Sequence, residues 1–215
     1  MEKVVIVGAG GFGREVEWLI NRINKISQTY EVIGFADDRI EIGKQVGHSK
    51  VIMNTDELSK ASEKYSVVIA IANAKIRKMI AEKLIQNKNL VFPNIIDPSV
   101  IYEEEEISIG EGNIICAGTI ITVNISFGNF NIIDIDCTIG HDDILKNYVT
   151  LYPSVNVSGN VEINDCTEIG TGAQIIQELS IAENVIVGAS AAVVKNIEES
   201  GTFIGIPAKM IKGNS

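Results

Sequence analysis

Two histidines, three cysteines and one glycine-rich turn are the residues here whose types and settings suit chemistry. His141 follows Ile139-Gly140 and is itself followed by Asp142 and Asp143. An imidazole titrates near neutrality and can take a proton from an attacking amine or hydroxyl. An adjacent carboxylate can fix its tautomer and stabilise the imidazolium. The plainer reading is a histidine on a solvated face without a role. No serine or cysteine stands out as a partner for covalent catalysis. A trihistidine metal centre needs one histidine more than the chain has, and His48, in a polar loop from Gly43 to Lys50, reads as an exposed side chain, so no metal is expected. Cys116, Cys137 and Cys166 have no metal-ligand spacing. Their odd number suits unpaired thiols in a reducing compartment, and Cys137 reads as a packing residue.

The glycine turn is the second chemical feature. Gly8-Ala9-Gly10-Gly11-Phe12-Gly13 lies between a buried strand, Lys3 to Val7, and helical spacing from Arg14 to Ile23, so Gly8, Gly10 and Gly13 match G-x-G-x-x-G in the required context. Glycines let a backbone approach a phosphate, and a helix N-terminus adds partial positive charge. Asp37 stands 24 residues beyond Gly13, near where a ribose-binding acid is expected. These features are shared by any nucleoside diphosphate and do not select NAD. The stretch is also too short for the two-halved sheet that holds a whole dinucleotide. A nucleotide-linked ligand is therefore favoured over NAD, with a purely structural turn third. Asp37 or Asp38 would hydrogen-bond a ribose or a base edge.

The elements that position these residues fall into two domains. Residues 1–93 read as β-α-β-(α)-β-α, a small parallel sheet of the Rossmann-like α/β class. Its further strands span Glu31 to Ala36, Ser66 to Ala72 and Leu90 to Phe92. Its further helices span Thr55 to Lys64, with Thr55 as N-cap, and Ala74 to Asn87. Pro93 and Pro98 mark the boundary. Residues 94–215 carry a different rhythm. From Ile109 to Val193 an aliphatic or aromatic residue falls at every sixth position, fifteen in succession. Chance would give such a run on the order of once in ten million. A second register four residues later is mostly small or β-branched, as at Thr119, Cys137, Val149, Val161 and Ala173. A period of six fits neither a helix nor a flat strand. It fits an all-β solenoid of short strands, three hexads closing one triangular coil. Five such coils would stack their interiors into one apolar column. His141 then faces outward near a corner, because Ile139 fills the inward slot. Glu103 to Glu106 reads as a solvated edge of the first coil, and Gly201 to Lys209 as an apolar tail over the last coils.

A net charge of −10 over 215 residues argues against nucleic acid and anionic membrane surfaces as partners. No apolar run approaches a membrane span, and the start is too short for a signal peptide, so a cytoplasmic protein is expected. Aromatic content of 6% suits a core supplied by Ile and Val.

Several segments together resemble the hexapeptide-repeat sugar acyltransferases that carry an N-terminal nucleotide-sugar domain. They are VVIVGAGGFGREV, FADD, IGHDDILKNYVTLYPSVNVSGNVEI, IGTGAQI, VIVGASAAVVKNI and GIPAK. The resemblance spans essentially the whole chain. It implies a left-handed parallel β-helix, a homotrimer and acetyl-CoA bound between neighbouring prisms, with no metal and no NAD. It implies His141 as general base with Asp142 as its partner, and nucleotide contacts from Gly8, Gly10, Asp37 and Asp38. Gly159, Thr171 and Ala189 would line the acetyl-CoA groove, and Lys209 would meet a CoA phosphate. Asp134 stands where relatives often carry Asn, at a position that looks at the substrate amine. The hexad from Leu145-Lys146 lacks the usual glycine. The implied activity is acetyl transfer from acetyl-CoA to the amine of a nucleotide-linked amino-deoxy sugar, for a surface glycan or glycoprotein. Alternatives are O-acetylation of a sugar such as sialic acid, then a non-catalytic solenoid assembly subunit, and last an NAD-dependent oxidoreductase.

Overall fold

The computed structural model describes residues 1–213. The chain divides into two compact units, Met1–Pro98 and Ser99–Ser215. The sequence places the break between 93 and 94. In the structure the Arg22 guanidinium grips the buried Asp97 carboxylate with two bonds, at 2.6 and 3.0 Å, which ties the segment after Pro93 to the first unit.

The first unit is built from β1 (Glu2–Val7), α1 (Gly11–Ile26), β2 (Tyr30–Ala36), β3 (Gln45–Val46), β4 (Ser49–Met53), α2 (Thr55–Ser59), β5 (Tyr65–Ile69), α3 (Ala74–Leu84) and β6 (Leu90–Val91). The sheet order is β3-β4-β2-β1-β5-β6. All pairs are parallel except the β3–β4 hairpin. Val4 to Val7 are buried, as a central strand covered on both faces requires. The polar loop read from Gly43 to Lys50 is in part this hairpin, turning at Gly47 with φ +58. Its strands are too short to register against the surrounding polar residues. The second helix also differs from expectation. It ends at Ser59, and its N-cap is Asn54, whose side chain accepts the Glu57 N–H at 2.8 Å while Glu57 accepts the Asn54 N–H at 2.9 Å. Thr55 is left free to turn its hydroxyl toward Asp38.

The second unit is a parallel β-helix with three faces. On one face Ile121, Ile139, Val157, Ile175 and Val193 pair in succession, each eighteen residues from the next. A second face runs from Ile107–Ile109 to Ser180–Ile181, and a third includes Ile114–Ile115 through Ile186–Val187. Fourteen of the fifteen first-register residues, all but Ile109 at the first coil, are no more than 3% exposed. Between faces the chain turns through the left-handed region once per hexad, three residues after each inward residue from Ile109 to Val187. Asn124, Asp136, Asp142 and Asn160 do so with φ between 57 and 63. Asn and Asp tolerate that conformation well. Phe130 and Tyr148 do not, and their rings stack 5.7 Å apart, a contact that offsets the strain.

The second register is buried as expected except at Leu179, which is half-buried, and it also includes three polar residues that its small-residue pattern passes over. Asn113, Asn131 and Asp143 are 0% exposed. Each accepts a backbone N–H one coil further on, from Asn131, Val149 and Val161 respectively, at 2.9, 2.7 and 2.8 Å. A corner turns amides inward, where an unpaired one would be costly. The apolar tail forms a strand, Gly201–Ile204, parallel to Ile186–Val187 and antiparallel to Lys209–Gly213. The three cysteines are buried and unbridged. Glu103 to Glu106 are exposed.

Candidate functional site

In the first unit a cavity of about 580 Å³ opens at the C-terminal ends of β1, β2 and β5. Strand order reverses around β1, which is where open α/β sheets bind ligands. Gly8, at φ +98, begins the turn, and the Cβ of any larger residue there would lie 2.9 Å from the Ala70 carbonyl oxygen. A Cβ on Gly13 would lie only 1.9 Å from the Gly8 carbonyl oxygen, so that glycine lets α1 close on β1. Gly10 has open space beside it and lines the cavity. It caps α1 without a side-chain bond. The first turn of a sixteen-residue helix therefore presents its amides to any anion in the cavity.

Asp37 and Asp38 line the same cavity, but both carboxylates already have partners. Asp37 accepts the Ala9 N–H at 2.8 Å with one oxygen, and the Arg39 and Ile40 N–H groups with the other. It clamps the glycine turn. Asp38 accepts from the Thr55 N–H at 2.8 Å and the Thr55 hydroxyl at 2.9 Å. Lys83 of α3 completes the polar lining. Its ammonium donates to the Thr55 hydroxyl at 3.0 Å and also meets Asp56, whose carboxyl it holds below the ordinary range. The sequence reading did not single out Lys83, since a lysine on a basic amphipathic helix gives no local sign of which cavity it lines. Ile71, Ile76 and Met79 make the rest of that wall apolar.

In the second unit His141 and Asp142 occupy one corner, directly after the strand Thr138–Ile139. The imidazole Nδ1 lies 2.7 Å from Asp142 Oδ2. Asn124, one coil earlier at the same corner, donates from Nδ2 to Asp142 Oδ1 at 2.6 Å. Asn124 first and His141 second hold the Asp142 carboxyl below its ordinary range. An ionised Asp142 accepts only, so Nδ1 donates, and in the neutral ring Nε2 is then the nitrogen with the lone pair. One coil later lies Gly159. A Cβ there would fall 2.5 Å from both Cε1 and Nε2, so the ring rests directly on the glycine backbone. The Asn160 N–H donates to the His141 carbonyl at 2.7 Å, tying the corner to the next coil. Asn124 escaped the sequence reading, although its spacing of eighteen from Asp142 was there to find.

The other anticipated residues stand elsewhere in the second unit. Thr171 and Ala189 are exposed on the corner that follows the third face, and Asp134 shares that corner, its carboxylate accepting the Ile135 N–H at 2.7 Å. Lys209 is exposed on the terminal hairpin. The structure thus gathers His141, Asp142 and Gly159, and leaves Asp134, Thr171 and Ala189 on a different edge of the prism. His48 is exposed, and its backbone N–H is held by the buried Glu17 carboxylate at 3.0 Å. Among the described residues no group of three or more His, Cys, Asp or Glu side chains is arranged to hold a metal ion, and no helix is long and apolar enough to cross a membrane.

Comparison with known proteins gives these sites a context. The family model of the PglD N-terminal domain matches residues 3–84. GDP-perosamine N-acetyltransferase of Escherichia coli O157:H7 is 33% identical over 178 residues, which cover 80% of this chain and 77% of that protein. The acetyltransferase domain of PglB from Neisseria gonorrhoeae, solved with acetyl coenzyme A, superposes with a TM-score of 0.90 at 30% identity, over 98% of this chain and 99% of that one. A histidine-to-asparagine mutant of perosamine N-acetyltransferase from Caulobacter crescentus, solved with CoA and GDP-perosamine, gives 0.87 at 25% identity, over 100% and 98%. By sequence and by fold, the chain belongs to the hexapeptide-repeat family of acetyl-CoA-dependent sugar N-acetyltransferases.

Proposed function

We propose that this protein transfers the acetyl group of acetyl-CoA to the amine of a nucleotide-linked amino-deoxy sugar, acting as a cytoplasmic homotrimer. The observation that carries the reading is the imidazole of His141, 64% exposed, with Nδ1 bound to Asp142 and Nε2 resting over Gly159. The relatives' bound molecules, acetyl coenzyme A in one and CoA with GDP-perosamine in another, support the choice of substrates. The cavity at the glycine turn takes the nucleotide. The Gly10-Gly11 amides face its diphosphate, Gly8 lets the backbone approach, and Asp37 holds the turn while Asp38 holds Thr55, each offering its remaining lone pairs. The amine nitrogen attacks the thioester carbonyl carbon, and the carbonyl π electrons move to oxygen. His141 takes the proton that the nitrogen gives up, with Asp142 stabilising the imidazolium. The tetrahedral species then collapses, the C–S bond breaks, and the sulfur receives the proton, giving an amide and CoA.

Trimerisation explains why the anticipated acetyl-CoA contacts divide between two edges. The edge bearing His141 and Gly159 on one copy would meet the edge bearing Asp134, Thr171 and Ala189 on the next, with Lys209 near a CoA phosphate. The test is a panel of GDP-, UDP- and dTDP-linked amino sugars, together with free sialic acid, incubated with acetyl-CoA while CoA release is followed. CoA release with a nucleotide amino sugar, and an N-acetyl product, are expected. Release with the hydroxyl acceptor alone would overturn the amine assignment, and failure to bind CoA would overturn the enzyme.

A further inference from the structure

We propose that Asp143 is a positioning residue for His141, a carboxyl sealed inside the corner whose charge sets the pH range over which the imidazole accepts a proton. This rests on the reading of His141 as the general base. Asp143 immediately follows the His141–Asp142 pair, yet its side chain points the other way, into the prism, and is 0% exposed. One oxygen accepts the Val161 N–H at 2.8 Å, and the other has no hydrogen-bond partner. The same corner carries Ile125 one coil before and Val161 one coil after, both buried and apolar. A structural acceptor for the Val161 amide needs no charge, as Asn131 shows by doing the same task for Val149.

The titratable groups acting on Asp143 are its own neighbours, His141 and Asp142. The adjacent coil's Glu162 pairs with Lys146 at 3.2 Å, and both of those side chains are solvent-accessible. Burial is the largest influence on the carboxyl and pushes it up to about 7, against the pull of the Val161 and Gly140 amides and of His141. Asp143 therefore passes from neutral to anionic across the range in which an imidazole also titrates. Neutral, it leaves Asp142 as the carboxylate bound to His141, with Glu178 two coils further along the same corner. Ionised, it adds a further negative charge, stabilises the imidazolium, and makes His141 a base only at higher pH.

The test compares wild type with Asp143→Asn, whose amide oxygen can keep the Val161 bond, and with Asp143→Val, which copies the residue one coil above. Both kcat and Tm are measured as functions of pH. The acid limb of kcat is expected to move to lower pH by about half a unit or more in both variants. Tm supplies a readout independent of activity. A carboxyl raised in the folded state binds its proton more tightly there than in the unfolded chain. Wild-type stability should therefore fall from about pH 4, the unfolded value, to about 7, and this contribution should stay level above it. Both variants should lack that fall. Superimposable kcat profiles would overturn the proposal even if Tm behaved as described, and so would a Tm slope unchanged by the substitution. Full kcat in His141→Ala would instead remove the base reading itself.

Discussion

The two units fix their polar groups by opposite means. In the first, the ends of three strands converge on one cavity, and backbone conformation does most of the work. Gly8 and Gly13 sit where a Cβ would fall 2.9 and 1.9 Å from a carbonyl oxygen, and Asp37 holds the Ala9 amide. In the second, every hexad makes nearly the same left-handed corner, and the His141 corner differs from the rest chiefly in its side chains. Convergent sites should therefore fail when a backbone contact is spoiled. A repeated corner should keep its fold and lose its chemistry when a side chain is changed.

Gly13→Ala should give the largest effect, since its Cβ would collide with the Gly8 carbonyl. We expect about 3 kcal/mol or more of destabilisation, read by thermal or denaturant unfolding. Gly159→Ala makes a similar collision, but with an imidazole and not with backbone. The solenoid should fold, and kcat should fall about 10²-fold with the KM for the sugar nucleotide unchanged, because the base is displaced by roughly an ångström. Equal loss of stability in the two variants would break the contrast. Lys83→Met should raise the KM for the sugar nucleotide about tenfold at near-constant kcat, as expected for losing one charge-assisted contact. Asn124→Ala should have the smallest effect, a loss of about three- to tenfold in kcat, since it removes one of two bonds holding Asp142.

What was legible in the sequence follows the same division. The hexad rhythm could be read directly because every hexad after the first buries one residue of the same kind at the same place, and His141 stood out as chemistry between inward slots. The glycine motif was legible because strand, turn and helix are contiguous. The remainder depends on partners distant in sequence. Nothing near Asp37 shows that its carboxylate is held by Ala9, and nothing near Lys83 shows that it lines the cavity. Asn124 lies one full coil before the carboxylate it holds. Asp143 stands in the sequence only as the residue after Asp142, and nothing there shows that the corner geometry turns it into the core. The N-cap of the second helix falls one residue before Thr55 because Asn54 and Thr55 are both good caps, and Glu57 decides between them by completing the box with Asn54.

The role of His141 is most directly measured by steady-state kinetics of His141→Ala with acetyl-CoA and the nucleotide amino sugar, alongside calorimetric binding of the nucleotide. The imidazole is 64% exposed and carries no core packing, so the variant should fold as wild type does. A kcat lowered by about 10²–10⁴-fold with nucleotide affinity unchanged is the predicted result. Near-full activity in that variant would contradict it.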